Sequence, residues 1–422
     1  MFAGIDLGTS GCRLIIIDAD EIIHHESQIR YPSSHQQTPM LWWDSVCELL
    51  HTVPANLRQA LQAISVDGTS STLLLCDANG EPSSPVLMYY EACAAAEAQR
   101  IKSVAPIESG AHGANSSLAK LLYLLKKQPL SNHPHHYALH QADWISAKLS
   151  ATYGYSDENN ALKLGYDPIK RCYPDWLIRL LDEHHIPPQL LPKVKPPASY
   201  LANIDTKLAQ QFSLPQHLAI FSGTTDSIAA FLATGAHQVG EAVSSLGTTL
   251  ALKLLNNQPI FVPELGIYSH RLWDQWLVGG ASNSGGGVLQ QFFDNERLIE
   301  LSRHIDTGQP CHLDYYPLPH IGERFPSADP HKLPKLTPRP SSDIDFLYGL
   351  LNGIAKIEAT GYQCLQAHGA VRPHKIYTVG GGSQNPTWTQ IRQNQLSIPL
   401  ITIKQHEAAF GSAKLAKKGY DS

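Results

Sequence analysis

Phe2-Ala3-Gly4-Ile5-Asp6-Leu7-Gly8-Thr9-Ser10-Gly11-Cys12-Arg13-Leu14-Ile15-Ile16-Ile17-Asp18 is the stretch that decides the fold. Aliphatic and β-branched residues stand on both sides of a small-residue break, which predicts two strands joined by a tight turn. The turn is not a G-x-x-x-x-G-K-[ST] loop, and no such loop occurs anywhere in the sequence, so the ordinary nucleotide-binding P-loop is excluded. A second copy lies downstream. Glu241-Ala242-Val243-Ser244-Ser245-Leu246 leads into Gly247-Thr248-Thr249 and then Leu250-Ala251-Leu252-Lys253-Leu254-Leu255. The shared core is Leu-Gly-Thr followed by Ser or Thr, near the start of each half of the chain. Self-similarity at this spacing points to duplication, and hence to two similar α/β domains facing each other across a cleft.

Outward from these hairpins the pattern stays α/β. Residues 63–67 and 73–77 read as a strand pair around a polar turn, and 375–379 as a strand running into Gly380-Gly381-Gly382. Apolar spacing predicts helices over 118–126, 176–182 and 346–366, and Asn385-Pro386 starts another, with Pro in its first turn. Stretches 187–197 and 327–342 are proline-rich loops.

The chain has 422 residues, which at about 150 per domain suggests two or three domains. A hydrophobic fraction of 43% and a charged fraction of 16% exclude wholesale disorder. A net charge of −5 advertises no surface for a polyanion, so no nucleic-acid partner is expected. No apolar run reaches the length of a membrane span, and the opening residues lack a basic n-region and cleavage site. Neither a membrane nor a secretory signal is expected. Seven cysteines without a C-x-x-C pair argue for reduced thiols and a cytoplasmic location. The tract His133-Pro134-His135-His136 reads as a solvated loop, because Pro134 prevents a helical i,i+4 ligand pair.

Gly, Ser and Thr turns present N–H groups and hydroxyls to phosphate oxygens. One such turn per domain could hold a triphosphate. Strand ends followed by glycine and a helix are also where open α/β sheets bind ligands. Asp6 ends the first strand, placed to hold Mg2+ through water against phosphates. Asp226 follows Phe221-Ser222-Gly223-Thr224-Thr225 and precedes a helical run. Two readings apply to it: a carboxylate favoured at a helix start, or a general base taking a proton from an attacking hydroxyl.

Eight stretches in order resemble the FGGY-family carbohydrate kinases, within the actin-like (ribonuclease H-like) fold, over most of the chain. Gly4-Ile5-Asp6-Leu7-Gly8-Thr9-Ser10 is similar to the opening phosphate motif, and Ser245-Leu246-Gly247-Thr248-Thr249 to the second. Asp157-Glu158-Asn159-Asn160-Ala161 with 164–191 resembles the mid-region of the N-terminal domain, and Gly223-Thr224-Thr225-Asp226 the catalytic Gly-Gly-x-Asp. Gly322-Glu323-Arg324, residues 349–355, residues 379–385 and residues 407–413 resemble the Gly-Glu-Arg loop, a C-domain helix, the adenosine motif and the closing Glu-x-x-x-x-Gly-x-Ala.

The resemblance implies an N-terminal sugar-binding domain over 1–226 and a C-terminal nucleotide-binding domain over 227–422, with 407–422 packing back on the first. It implies ATP and Mg2+, Asp226 as catalytic base and Asp6 as metal-placing residue, both also touching substrate. Gly8, Thr9, Ser10, Gly247, Thr248 and Thr249 would line the phosphates, and Gly381, Gly382 and Asn385 the adenosine. Thr69-Ser70-Ser71-Thr72 stands where many xylulose kinases carry Gln-Met-His-Gly, which puts Ser70 and Ser71 in the sugar pocket. Tyr89-Tyr90-Glu91-Ala92-Cys93 replaces a Trp-x-Asp-x-Arg stretch and lacks its arginine. Together these departures resemble the short ribulose or xylulose kinase subgroup. The expected reaction is phosphorylation of the terminal hydroxyl of a ketopentose by a monomer or homodimer, with D-ribulose first and D-xylulose second. A non-catalytic sugar-binding relative is the reading from another class.

Overall fold

The computed structural model describes residues 1–32, 37–127, 136–403 and 405–422. Its chain contacts divide into two units, Met1–Gly235 with Gln405–Ser422, and Ala236–Lys404. Helix Asp226–Ala233 belongs with the first unit, so the division falls after Gly235 rather than at Asp226. The physical reason is burial: Ile228, Ala229 and Phe231 are shut into the first unit, where this helix packs on the closing helix Ala408–Tyr420.

Each unit is built on a six-stranded mixed sheet. In the first, the strand order is Ile23–Arg30, Gly11–Ile17, Phe2–Leu7, Ala63–Gly68, Ala219–Thr225, Tyr200–Asn203. The first three form an antiparallel meander, and Phe2–Leu7, Ala63–Gly68 and Ala219–Thr225 run parallel. In the second unit the corresponding order is Gln275–Ser282, Leu250–Asn256, Glu241–Leu246, Lys375–Val379, Leu400–Thr402. Again a meander of three precedes parallel partners, with Tyr268–Leu272 added beside the third. The duplicated Leu-Gly-Thr sequence thus carries a duplicated sheet.

The central strands of the first unit are buried on both faces, as parallel strands covered by helices should be. The closing helix covers one face and comes very close. A Cβ on Gly4 would stand 2.0 Å from the Ala409 carbonyl oxygen, so only glycine admits the helix there. The opposite face packs on Trp42, Trp144 and Phe212. In the second unit the long helix Asp343–Ala367 supplies Phe346, Leu350, Ile354 and Ile357 to the core. It is capped by Ser342, whose Oγ accepts from the Asp345 N–H.

One pairing differs from expectation. Strand Ala63–Gly68 does not form a hairpin with Leu73–Asp77, because both its edges are already paired, to Phe2–Leu7 and Ala219–Thr225. The chain leaves the sheet through Ser71, at φ +75°, and Leu73–Asp77 pairs with His136–His140 instead. His136 opens that strand, and the rest of the histidine tract, 133–135, lies outside the described residues. Among the described residues no helix is long and apolar enough to cross a membrane.

Candidate active site

Three neighbouring parallel strands of the first unit end together, and each delivers a carboxylate. Asp6 pairs in register with Asp67, and Thr224 with Asp67, so Asp226 follows directly at the start of its helix. Close approach at the last strand requires Gly223, whose Cβ would stand 1.6 Å from the Val66 carbonyl oxygen. The register shift between Phe221 and Thr224 sits at this glycine. Ligands bind open α/β sheets at such carboxyl-terminal strand ends.

The three acids have different surroundings. Asp67 is fully buried, and burial together with the neighbouring Asp6 charge holds its pKa well above the usual carboxylate range. Its Oδ2 accepts from Ser412 Oγ at 2.6 Å. Asp6 is half-buried and is pushed up to about 6. Burial is the main cause, the adjoining Asp67 carboxyl opposes it, the Asp226 charge adds to it and Arg13 opposes it. Arg13, opposite Asp6 in the hairpin, is itself paired with Glu407. Asp226 is half-buried at the first turn of its helix, where its Oδ1 accepts from the Ser227 N–H at 2.6 Å. Lys163 lies within electrostatic reach of it, with burial pulling the ammonium pKa down.

Fit to Mg2+ follows from the donor set. Asp6 Oδ1 and Asp67 Oδ1 are shut off from solvent without a hydrogen-bond partner, so both have lone pairs to offer. Among the described residues no three Asp, Glu, His or Cys side chains converge into a cage. Mg2+ keeps waters and phosphate ligands around one or two carboxylates, the number that Asp6 and Asp67 supply.

The turn at 8–10 stands beside this cluster. Gln37 braces it, its Nε2 donating to the Thr9 carbonyl at 2.7 Å while Oε1 accepts from the Trp42 indole. Thr9 Oγ1 donates to Tyr89 Oη at 3.1 Å, and Ser10 is exposed. Ser70 is half-buried, but Ser71 is fully buried. Its hydroxyl donates to the Asn115 carbonyl at 2.6 Å and lies 3.2 Å from Ser117 Oγ. Ser71 is therefore part of the wall behind Ser70, with its hydroxyl already engaged.

In the second unit a cavity of about 720 Å³ gathers Gly247, Thr248, Gly381, Gly382 and Asn385, closed by Leu298, Ser302 and Trp388. Thr248 and Thr249 are exposed, and Thr249 is not among the cavity walls. Asn385 caps its helix, Oδ1 accepting from the Trp388 N–H at 3.0 Å, and Nδ2 donates to Ser302 Oγ at 2.8 Å. Beneath the cavity, Arg392 and Glu358 form a fully buried pair at 2.6 Å, joined to Ser244 on the strand that ends in the turn.

Sequence reading missed Asp67. The signal was there: like Asp6, it is an acid at the end of a predicted strand shortly before a glycine. What the sequence could not supply was the register that sets the two side by side.

Residues 1–233 match the N-terminal domain of the FGGY family of carbohydrate kinases, and 242–419 the C-terminal domain. A xylulose kinase of Staphylococcus epidermidis is 22% identical over 444 residues, covering 99% of this chain and 87% of that protein. The crystal structure of xylulose kinase from Rhodospirillum rubrum has a TM-score of 0.84 at 21% identity, covering 99% of this chain and 89% of its own. Gluconate kinase from Lactobacillus acidophilus has a TM-score of 0.81 at 20% identity, with the same coverage. Chains named for different sugars thus share one fold of two actin-like domains with this one.

Proposed function

The chain belongs to the FGGY family of carbohydrate kinases, and on that premise we propose that it transfers the γ-phosphoryl of ATP to the terminal hydroxyl of a ketopentose. The convergence of Asp6, Asp67 and Asp226 at three adjacent strand ends carries this reading. Asp226 takes the proton of the sugar hydroxyl as its oxygen attacks the γ-phosphorus. The bond from that phosphorus to the β,γ-bridging oxygen breaks, and ADP leaves with the electron pair. Asp6 and Asp67 would hold Mg2+, which would supply charge neutralisation at the phosphates. The turn at 8–10 donates N–H groups to phosphate oxygens. In the second unit the turn at 247–249 and the cavity bounded by Gly381, Gly382 and Asn385 take the nucleotide.

D-Ribulose is the first choice of sugar and D-xylulose the second. The departures at Thr69-Ser70-Ser71-Thr72 and 89–93 resemble the short ribulose or xylulose kinase subgroup, and the names of relatives favour D-xylulose. The two sugars differ in one hydroxyl configuration. A buried polar group left unpaired costs about 1–3 kcal/mol, so selectivity of roughly ten- to a hundredfold is expected, with both sugars turning over. All seven cysteines are free thiols, which fits a reducing, cytoplasmic setting.

A coupled ADP-release assay over a panel of ketoses, polyols and gluconate tests the reading. The highest kcat/KM should fall on D-ribulose or D-xylulose. A preference for gluconate or glycerol would overturn the ketopentose assignment. Release of ADP unaffected by every sugar would overturn the kinase reading for this chain.

A further inference from the structure

Lys120 is a charged residue with no exposure at all, on helix Ser117–Lys127 in the first unit. Its Nζ donates to two backbone carbonyls, Ser71 at 2.8 Å and Met88 at 2.7 Å. No carboxylate pairs with it among the described residues. Burying an ammonium without a carboxylate at ion-pair distance is costly, and burial, with the Lys163 charge adding to it and Glu91 opposing, pulls its pKa down to about 8. An apolar side chain would fill the same space at lower cost, so packing alone does not account for a lysine here.

The two carbonyls belong to two different loops. Ser71 is in the turn that presents Ser70, and its φ of +75° is strained for a residue with a side chain. Met88 precedes Tyr89, whose hydroxyl accepts from Thr9 in the phosphate-type turn. The loops are also laced directly. The Tyr89 N–H donates to Thr72 Oγ1 at 3.1 Å, Thr72 lies 2.6 Å from Thr69 Oγ1, and Thr69 donates to Gln141 Oε1 at 2.8 Å. A second clamp grips Ser71 from the other side: Asp143, His140 and Ser117 stand in line, each contact at 2.9 Å.

We infer that Lys120 is a positioning residue for sugar binding, holding the Ser70 turn and the Tyr89 loop in one register with the Thr9 turn. This rests on the reading that the Ser70 turn takes the sugar. Lys120 touches neither the sugar nor a phosphate, and its effect passes through the two carbonyls it holds.

A double-mutant cycle between Lys120→Met and Ser70→Ala tests it, with sugar KM, ATP KM and melting temperature measured on all four proteins. Lys120→Met should raise sugar KM by about 10- to 100-fold, the range set by two orphaned acceptors, with ATP KM changed by less than about twofold. Adding Ser70→Ala to it should raise sugar KM no further, because a turn out of register has already lost that contact. A lower melting temperature with unchanged sugar KM would overturn the inference while leaving Ser70→Ala free to report on the sugar site. Independent, multiplicative effects of the two substitutions would overturn it too. Unchanged sugar KM in Ser70→Ala alone would remove the sugar reading of the turn and the inference with it. Should Lys120→Met fail to fold, Ser117→Ala loosens the second clamp at the loss of one oxygen. It should raise sugar KM in the same direction by about threefold, and an unchanged value would overturn the inference.

Discussion

In the first unit the turn at 8–10 is braced by side chains, Gln37 on the Thr9 carbonyl and Tyr89 on the Thr9 hydroxyl. In the second unit the equivalent turn at 247–249 is braced by backbone: the Gly286 N–H donates to the Gly247 carbonyl at 2.8 Å and the Gly287 N–H to the Thr248 carbonyl at 3.0 Å. The ionisable groups divide the same way. Where the first unit sets Asp6 against Asp67, the second sets Ser245 against Val379. Two copies of one hairpin have kept the same backbone plan, and the charge sits in one of them. A turn without ionisable groups can cradle a polyanion by its N–H groups alone. The turn beside the acids has the means to handle a metal and a proton.

The sharpest way to break this contrast is Asp226→Asn. Asn keeps the size and the Oδ1 that accepts from Ser227, so the melting temperature should hold. It cannot take a proton, so kcat should fall by about 10² or more with sugar affinity little changed. Turnover like that of the wild type would reduce Asp226 to a helix-start carboxylate and would leave the acidic unit without its chemical role. A smaller effect is expected from the paired variants Thr9→Val and Thr248→Val. Each removes one hydroxyl at nearly constant volume, and each should weaken catalysis by about three- to tenfold, the worth of one hydrogen bond. Thr9→Val also breaks the link to Tyr89, so it should raise sugar KM as well as ATP KM, whereas Thr248→Val should raise ATP KM alone. Unchanged ATP kinetics in both would sink the phosphate assignment of the turns.

The smallest effect sharpens the contrast through pH. An acid whose folded pKa is raised binds its proton more tightly in the folded state. Its contribution to stability is therefore full below its unfolded pKa and is lost as pH rises through the folded value, here from about 4 to about 6 for Asp6 and beyond for Asp67. Melting temperature should decline from pH 5 to pH 8. Asp67→Asn cannot ionise and can donate to Asp6, so it should flatten that decline. An identical slope in the two proteins would show that burial of Asp67 does not set the decline.

Much of this was legible before any coordinates. The duplicated hairpin, the strand at 375–379, the helix opening at Pro386 and the helices around 118–126, 176–182 and 346–366 all follow from local pattern, and they lie where that pattern puts them. What local pattern cannot carry is partnership. Residues 63–67 and 73–77 look like a hairpin because a polar turn separates them, yet a strand already paired on both edges has no place for its neighbour. The same limit hid Asp67 and Lys120. Buried charge is written in sequence like any other charge, and only the register of distant strands and the packing of a helix show it to be buried. Ser71 illustrates the reverse: its position in the turn was readable, but the inward direction of its hydroxyl follows from a φ of +75°.

The closing helix Ala408–Tyr420 has a consequence for biosynthesis. The first unit is interrupted in sequence by the whole of the second, and its Asp67 finds Ser412 only across 345 positions. Domains fold as units while the chain emerges, N-terminal first. Here the second unit is continuous in sequence, while the first is complete only once its closing helix has been made. Until 408–420 leaves the ribosome, the Gly4 groove is bare and Asp67 lacks the Ser412 hydroxyl that donates to it. A nascent chain stalled just short of residue 408 would therefore carry the whole of the second unit and a first unit still without its covering helix.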